Sequence, residues 1–158
     1  MNGDSLTIVK ATIGHSKDIW SWRNDHVTRS MFKSSDLVAW VDHAKWFESA
    51  LVNPNRFIYV ALMNCRPVGM VRFDAISLAE GKFETSINVA PAERRLGIGR
   101  KLLTGSIAAL NNEASSVKEI VAQVKSTNPA SNALFKSAGF ILQAPVEEEY
   151  NDYVFELS

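Results

Sequence analysis

Between Arg94 and Lys101 the chain reads Arg-Arg-Leu-Gly-Ile-Gly-Arg-Lys, two glycines one residue apart inside a cluster of four cations. Cations at the start of a helix oppose its macrodipole, so they are poorly placed for helix stability alone. They make sense if an anion sits there. The first N–H groups of a helix have no internal partner and together carry about half a positive charge. Gly97 and Gly99 remove the side chains that would keep a bulky diphosphate away from those donors. A Gly-x-Gly alone would equally fit a turn with solvated arginines. The whole pattern, a strand followed by Arg-x-x-Gly-x-Gly and a long helix, favours the anion. The strand before it, residues 83–89, alternates in type: Phe83, Thr85, Ile87 and Val89 fall on one face, Glu84, Ser86 and Asn88 on the other. Three polar residues on one strand face fit either a wetted cleft or a solvent face.

These groups need a frame. Residues 6–12 read as a first strand, Ser16 as the cap of a short helix to Arg23, and an irregular turn runs on towards Met31. The pattern predicts that Asp36 caps a helix over residues 37–51 whose buried stripe is Trp40, Ala44, Phe47 and Leu51. Strands over 56–63 and 67–75 flank Asn64-Cys65-Arg66, a hairpin turn, and a link over 77–82 leads to the polar-faced strand. A helix over 97–114, a strand over 119–125 and a helix between Pro129 and Gly139 follow. Strands over 140–144 and 149–157 close the chain. The expectation is a mixed α/β (α+β) domain: about seven strands in a mostly antiparallel sheet, flanked by about four helices.

Composition narrows the function classes. The 158 residues fit one domain, and 46% apolar with 22% charged residues is an ordinary globular mixture. Seventeen basic and 17 acidic side chains leave no global field for nucleic acid or an anionic membrane, so any anion must be held locally. The start lacks the basic and apolar regions of a signal peptide, and no run approaches the ~20 apolar residues that cross a bilayer. Cys65 stands alone, which forbids an internal disulfide and a zinc cage of cysteines. A cytoplasmic location, no metal, no nucleic acid and no membrane partner are the expectations; a homodimer is left open.

The run Arg94-x-x-Gly97-x-Gly99 resembles the acetyl-CoA pyrophosphate loop of the GNAT (GCN5-related N-acetyltransferase) superfamily, and a second mark follows about thirty residues on. There Asn128, Ala130, Leu134, Gly139 and Phe140 match a strand-closing Asn, a helix with small and aromatic residues, and a terminal Gly-Phe. No Gly-Lys-Ser/Thr follows the glycines, which sets the loop apart from the P-loop. The resemblance spans essentially all of residues 1–158, with 83–140 as the coenzyme core and 1–55 as the acceptor side.

The resemblance implies an N-acetyltransferase that moves acetyl from acetyl-CoA to a small-molecule primary amine by direct attack. The fourth and fifth strands would splay around the pantetheine arm. Backbone groups of Asn88 and Val89 would bind that arm, with the Val89 N–H polarising the thioester carbonyl. Arg94, Arg95, Leu96, Gly97, Ile98, Gly99, Arg100 and Lys101 would hold the pyrophosphate, and Asn128 and Asn132 would bond pantetheine or nearby backbone. Asn128 fits helix capping before Pro129 equally well. Glu84 is the base that takes a proton from the amine, with His43 as second candidate. Phe135, beside the coenzyme, stands where many members carry a proton-donating Tyr; a thiol of pKa ~8.5 leaves as thiolate at a cost of roughly 2 kcal/mol at pH 7. Trp22-Arg23-Asn24 and His43 with Trp46 resemble the branch acting on nucleotide-linked 4-amino sugars. Trp22 and Trp46 would stack on rings, Arg23 would meet a diphosphate, and Ser86 would face the acceptor. The alternatives are an acetyltransferase of peptide or ribosomal-protein N-termini, and a catalytically silent acyl-CoA-binding module.

Overall fold

The computed structural model describes residues 5–31, 35–93, 97–114, 116–143 and 149–157. Seven strands form one sheet: β1 (Leu6–Lys10), β2 (Arg56–Met63), β3 (Arg66–Ser77), β4 (Lys82–Val89), β5 (Glu119–Lys125), β6 (Ile141–Leu142) and β7 (Tyr150–Glu156). Their order across the sheet is β1-β2-β3-β4-β5-β7-β6. Only β4 and β5 run parallel, because α4 (Ile98–Ala114) crosses over between them. Hairpins and longer returns make the other pairs antiparallel. The remaining helices are α1 (Ser16–Arg23), α2 (His26–Met31), α3 (Trp40–Val52) and α5 (Pro129–Ser137). Five helices replace the expected four, since the irregular turn towards Met31 completes its hydrogen bonds as α2.

The alternation of apolar residues on the strands builds a core on each sheet face. Val71, Phe73, Phe83 and Ile120 pack with Leu102, Leu103 and Leu110 of α4 on one side. On the other, Ile58, Val60 and Met70 meet Ile19 and Trp22 of α1 and Phe47 and Ala50 of α3. Each such fully buried side chain contributes about 1.5–3 kcal/mol relative to exposure. Gly69 lets α4 lie close to the sheet: a Cβ there would be 2.7 Å from Leu102 Cδ2. Between β2 and β3 the two turn residues Asn64 and Cys65 have φ of 50° and 69°, as a two-residue hairpin of mirror-image type demands.

Several boundaries move, each for a tertiary reason. α3 begins at Trp40 rather than 37, and its N-cap residue is Ala39, which makes no side-chain cap. Asp36 does not start the helix: just ahead of Ala39 the Val38 backbone is taken up by the side chains of Trp20 and Asn24. The buried stripe of α3 is His43, Phe47 and Ala50; Trp40 is 39% exposed. Packing against α1 turned the helix by about one residue from the expected face. β1 stops at Lys10, where Thr12 leads into a single 3-10 turn, and Ser16 is the first residue of α1 rather than its cap. The strand expected over 140–144 shrinks to Ile141–Leu142, with Ala144 outside the described residues.

Candidate active site

β4 is the axis of the site. It pairs with β3 along its whole length, from Lys82 opposite Ser77 to Val89 opposite Gly69. Its parallel pairing with β5 covers Lys82, Phe83 and Glu84 and ends at Glu84↔Val121, although both strands continue. The strands therefore diverge beyond Glu84, in the way the family resemblance implies. Just past β4, Ala90 N–H donates to Val68 O at 2.8 Å. Antiparallel backbone groups alternate sides, so Asn88 and Ser86 bond β3, while Val89 and Ile87 turn theirs into the gap beside β5. This corrects the expected role of Asn88, whose backbone belongs to the β3–β4 ladder. Ile87, missed in the sequence, joins Val89 at the gap.

The candidate anion cradle adjoins the gap. Gly97 has φ +74° and open space: a Cβ there would meet no heavy atom within 4 Å. Ile98 turns its side chain into the core, and Arg100 and Lys101 are exposed on the first turn of α4. A Cβ on Gly99 would lie 3.3 Å from both Leu134 δ-carbons and 3.8 Å from Val89 Cγ2. The missing side chain thus lets the helix start close to α5 and to the end of β4. Arg94, Arg95 and Leu96 lie outside the described residues.

The two asparagines are occupied elsewhere. Asn128 caps α5: its Oδ1 accepts from Ser131 N–H at 3.1 Å and its Nδ2 donates to Ser131 Oγ at 3.0 Å. Asn132 Nδ2 donates to the carbonyls of Lys125 and Asn128, and its Oδ1 accepts from Asn151 Nδ2 and Tyr153 Oη. Both are buried; Asn128 takes the capping role that fitted its place before Pro129, and Asn132 bonds nearby backbone, one of the two partners expected for it. Phe135 is buried too, its ring stacked on Tyr153 with centroids 6.0 Å apart. Burial raises the Tyr153 phenol above its ordinary value, and the hydroxyl proton is given to Asn132 rather than to the cleft.

On the α1/α3 side of β4 lies a cavity of about 620 Å³. Glu84, Ser86 and Asn88 line it from β4, Met70, Arg72 and Asp74 from β3, Gln123 from β5, and Arg23, His43 and Trp46 from the helices. The polar face of β4 is therefore a cleft wall. Glu84 is exposed in it, and Thr85 Oγ1, buried at its edge, has no hydrogen-bond partner among the described residues. Asp74 accepts from Arg56 Nε at 2.6 Å and Arg72 Nε at 3.0 Å, and both guanidinium groups lie over the Trp46 ring, 5.6 and 5.5 Å from its centroid. Trp46 is thus held by cation–π contacts and does not present both faces to a ligand. Arg23 has its pKa pushed down by burial first, then by the charges of Arg29 and Arg72. Two of these cations, Arg23 and Arg72, line the cavity.

His43 is buried and contacts three rings, those of Trp40, Trp46 and Phe47. Its Nε2 donates to Ser16 O at 2.9 Å, which leaves the lone pair on Nδ1. Desolvation lowers its pKa from the ordinary 6.5, outweighing the upward pull of that bond, so the ring is neutral at pH 7. Trp22 is corrected: it is 7% exposed inside the second core and does not line the cavity. Arg72, Asp74 and Gln123 were missed. The alternation Met70-x-Arg72-x-Asp74 carried a signal for two of them, two polar residues in step with an apolar one on a central strand.

The family model described as acetyltransferase (GNAT) family matches residues 19–140. No curated protein matches the sequence significantly. Among solved structures, spermidine N-acetyltransferase from Vibrio cholerae, with CoA and spermine, superposes with a TM-score of 0.85 at 17% identity, covering 96% of this chain and 95% of its own. A domain from Methanocaldococcus jannaschii gives 0.82 at 22% identity over 98% and 99%. A putative acetyltransferase from Salmonella typhimurium, with acetyl-CoA, gives 0.76 at 24% identity over 97% and 94%.

Proposed function

The chain belongs to the acetyltransferase (GNAT) family, and from that premise we propose that its acceptor is a nucleotide-linked 4-amino-4,6-dideoxy sugar bound in the cavity beside Glu84. The acetyl group comes from acetyl-CoA, which supplies it as a thioester. The described residues fit that donor: an open Gly97 at a helix start, backbone groups of Ile87 and Val89 turned into a gap, and an unpartnered Thr85 hydroxyl beside it.

One observation carries the reading: β4 joins coenzyme and acceptor sides within a few residues. Val89 packs next to Gly99 and aims its N–H into the gap, while Asn88, Ser86 and Glu84 face the cavity. An N–H fixed where charge develops on a carbonyl oxygen is the kind of donor whose loss costs about 2.7–4 kcal/mol in other acyl transfers. Glu84 takes the proton from the attacking amine, directly or through water, because an amine in water is mostly protonated at pH 7. His43 is neutral and able to accept a proton at Nδ1, a second route for the same task. The N-terminus of α5 favours the departing thiolate in place of the hydroxyl that Phe135 lacks.

The choice of acceptor rests on charge. Arg23 and Arg72 both line the cavity, the positive charge of Arg72 disfavours that of Arg23, and Asp74 is shared between Arg56 and Arg72. A diphosphate relieves that repulsion. The amine end would then lie towards Glu84. The test is coenzyme A thiol release with three acceptors: a nucleotide-linked 4-amino sugar, a peptide with a free N-terminus, and spermidine. We expect the sugar nucleotide to be preferred, and Arg23→Ala to raise its KM about tenfold, the loss of one charge-assisted bond. Faster turnover of the peptide, with Arg23→Ala indifferent, would move the reading to protein N-termini.

A further inference from the structure

Residues Trp22-Arg23-Asn24 end α1 with three different tasks. Trp22 belongs to the core and Arg23 to the cavity. Asn24 reaches across to the segment before α3. Its Nδ2 donates to Val38 O at 2.8 Å and its Oδ1 accepts from Val38 N–H, also at 2.8 Å. The side-chain amide thus pairs with one residue of extended backbone as a neighbouring strand would. Trp20 Nε1–H donates to the same carbonyl at 2.7 Å, and its ring meets Trp40 edge-on at 5.4 Å. Arg29 ties the arrangement from outside, donating through Nε to Asn24 O and through Nη1 to Ser35 O.

Val38 lines the cavity, whereas Leu37 is 68% exposed on the outside. The segment has neither helix nor sheet to supply bonds to its backbone, and Ala39, with ψ 145°, starts α3 with no side-chain cap. Backbone groups of an irregular segment must still find partners. For Val38 those partners are the side chains of Trp20 in α1 and of Asn24, the residue that caps its C-terminus. We propose that Asn24 and Trp20 are positioning residues: they hold Val38 in place as the outer wall of the acceptor cavity, and so govern acceptor affinity without touching the coenzyme side. The inference rests on the proposed use of that cavity for the acceptor.

Three variants test it. Asn24→Ala removes both amide bonds, Asn24→Asp keeps the acceptor for Val38 N–H but sets an oxygen against Val38 O, and Trp20→Phe keeps the ring while removing the N–H. Amide hydrogen exchange at Val38 reads the clamp itself, whatever the substrate. We expect exchange there to accelerate about tenfold in Asn24→Ala, the effect of losing one to two net hydrogen bonds. With the nucleotide-linked 4-amino sugar as acceptor, its KM should rise about tenfold in the same variant while the KM for acetyl-CoA stays within about twofold. Asn24→Asp, which keeps the acceptor for Val38 N–H, should raise the acceptor KM with a smaller change in exchange than Asn24→Ala, and Trp20→Phe should show smaller effects on both. Unchanged exchange at Val38 in Asn24→Ala overturns the clamp. Faster exchange with an unchanged acceptor KM overturns its role at the cavity, as does an equal rise in both KM values. A parent enzyme that ignores the sugar nucleotide but accepts the peptide or spermidine overturns the acceptor reading alone, and the KM comparison then runs on the amine that is used.

Discussion

The coenzyme side and the acceptor side of β4 are built from different materials. On the coenzyme side the groups proposed to bind are main-chain atoms: the first turn of α4 after Gly97, and the Ile87 and Val89 groups facing the gap. On the acceptor side they are side chains, Arg23, His43, Arg72, Asp74 and Glu84, converging from α1, α3, β3 and β4. Main-chain donors are fixed by secondary structure and read a constant chemical group. Side chains from separate elements can be exchanged one at a time, which suits the half of a site that must choose among amines. A substitution on the first side should therefore remove coenzyme binding, and one on the second should alter catalysis or the acceptor.

Gly97→Glu is the harshest test of that division. Open space around a Cβ at Gly97 means the new side chain has room, although φ +74° makes any non-glycine residue strained by about 1 kcal/mol. The added carboxylate stands where the diphosphate is to bind, so CoA affinity should fall on the order of a hundredfold or more. Titration calorimetry with CoA measures this, and affinity near that of the parent would remove the cradle from α4. Glu84→Gln comes next. Turnover should drop about a hundredfold near neutral pH and recover partly as pH rises and the free amine becomes common, with the KM for acetyl-CoA unchanged. A pH–rate profile that follows the parent would take the proton transfer away from Glu84 and leave His43 as the base.

The smallest effect concerns stability on the acceptor side. Because burial lowers His43 below its ordinary 6.5, the unfolded chain binds the proton first as pH falls. The stabilisation is fully present above that value and is lost as pH falls through it towards the folded value. His43→Gln keeps a donor for Ser16 O without a titrating ring. Melting temperature should therefore fall less between about pH 7 and pH 5 in the variant than in the parent. Parallel melting curves against pH would mean that His43 titrates alike in both states.

Much of this was legible beforehand, and the reason differs by residue. The glycine pair before α4, the alternation in β4 and the Asn64-Cys65 turn are short-range signals, because helix starts, strand faces and tight turns constrain neighbours in sequence. The capping by Asn128 and the bonds from Asn132 to nearby backbone were within local reach, whereas nothing local revealed that the Asn151 amide and Tyr153 hydroxyl would take up Asn132 Oδ1. Similarly, Trp22 and Trp46 are alike in type, yet one is core and the other stacks with two arginines.

The sequence by itself determined the order of elements, the mixed sheet and the glycine-opened helix start, since each follows from patterns within a few residues and from backbone chemistry that packing leaves intact. Tertiary structure alone decided which face of α3 is buried, which arginines meet in the cavity, and that Asn24 grips Val38 fourteen residues away. Those contacts depend on how α1 and α3 settle on the sheet, and many side-chain arrangements satisfy the same local pattern before the elements are packed.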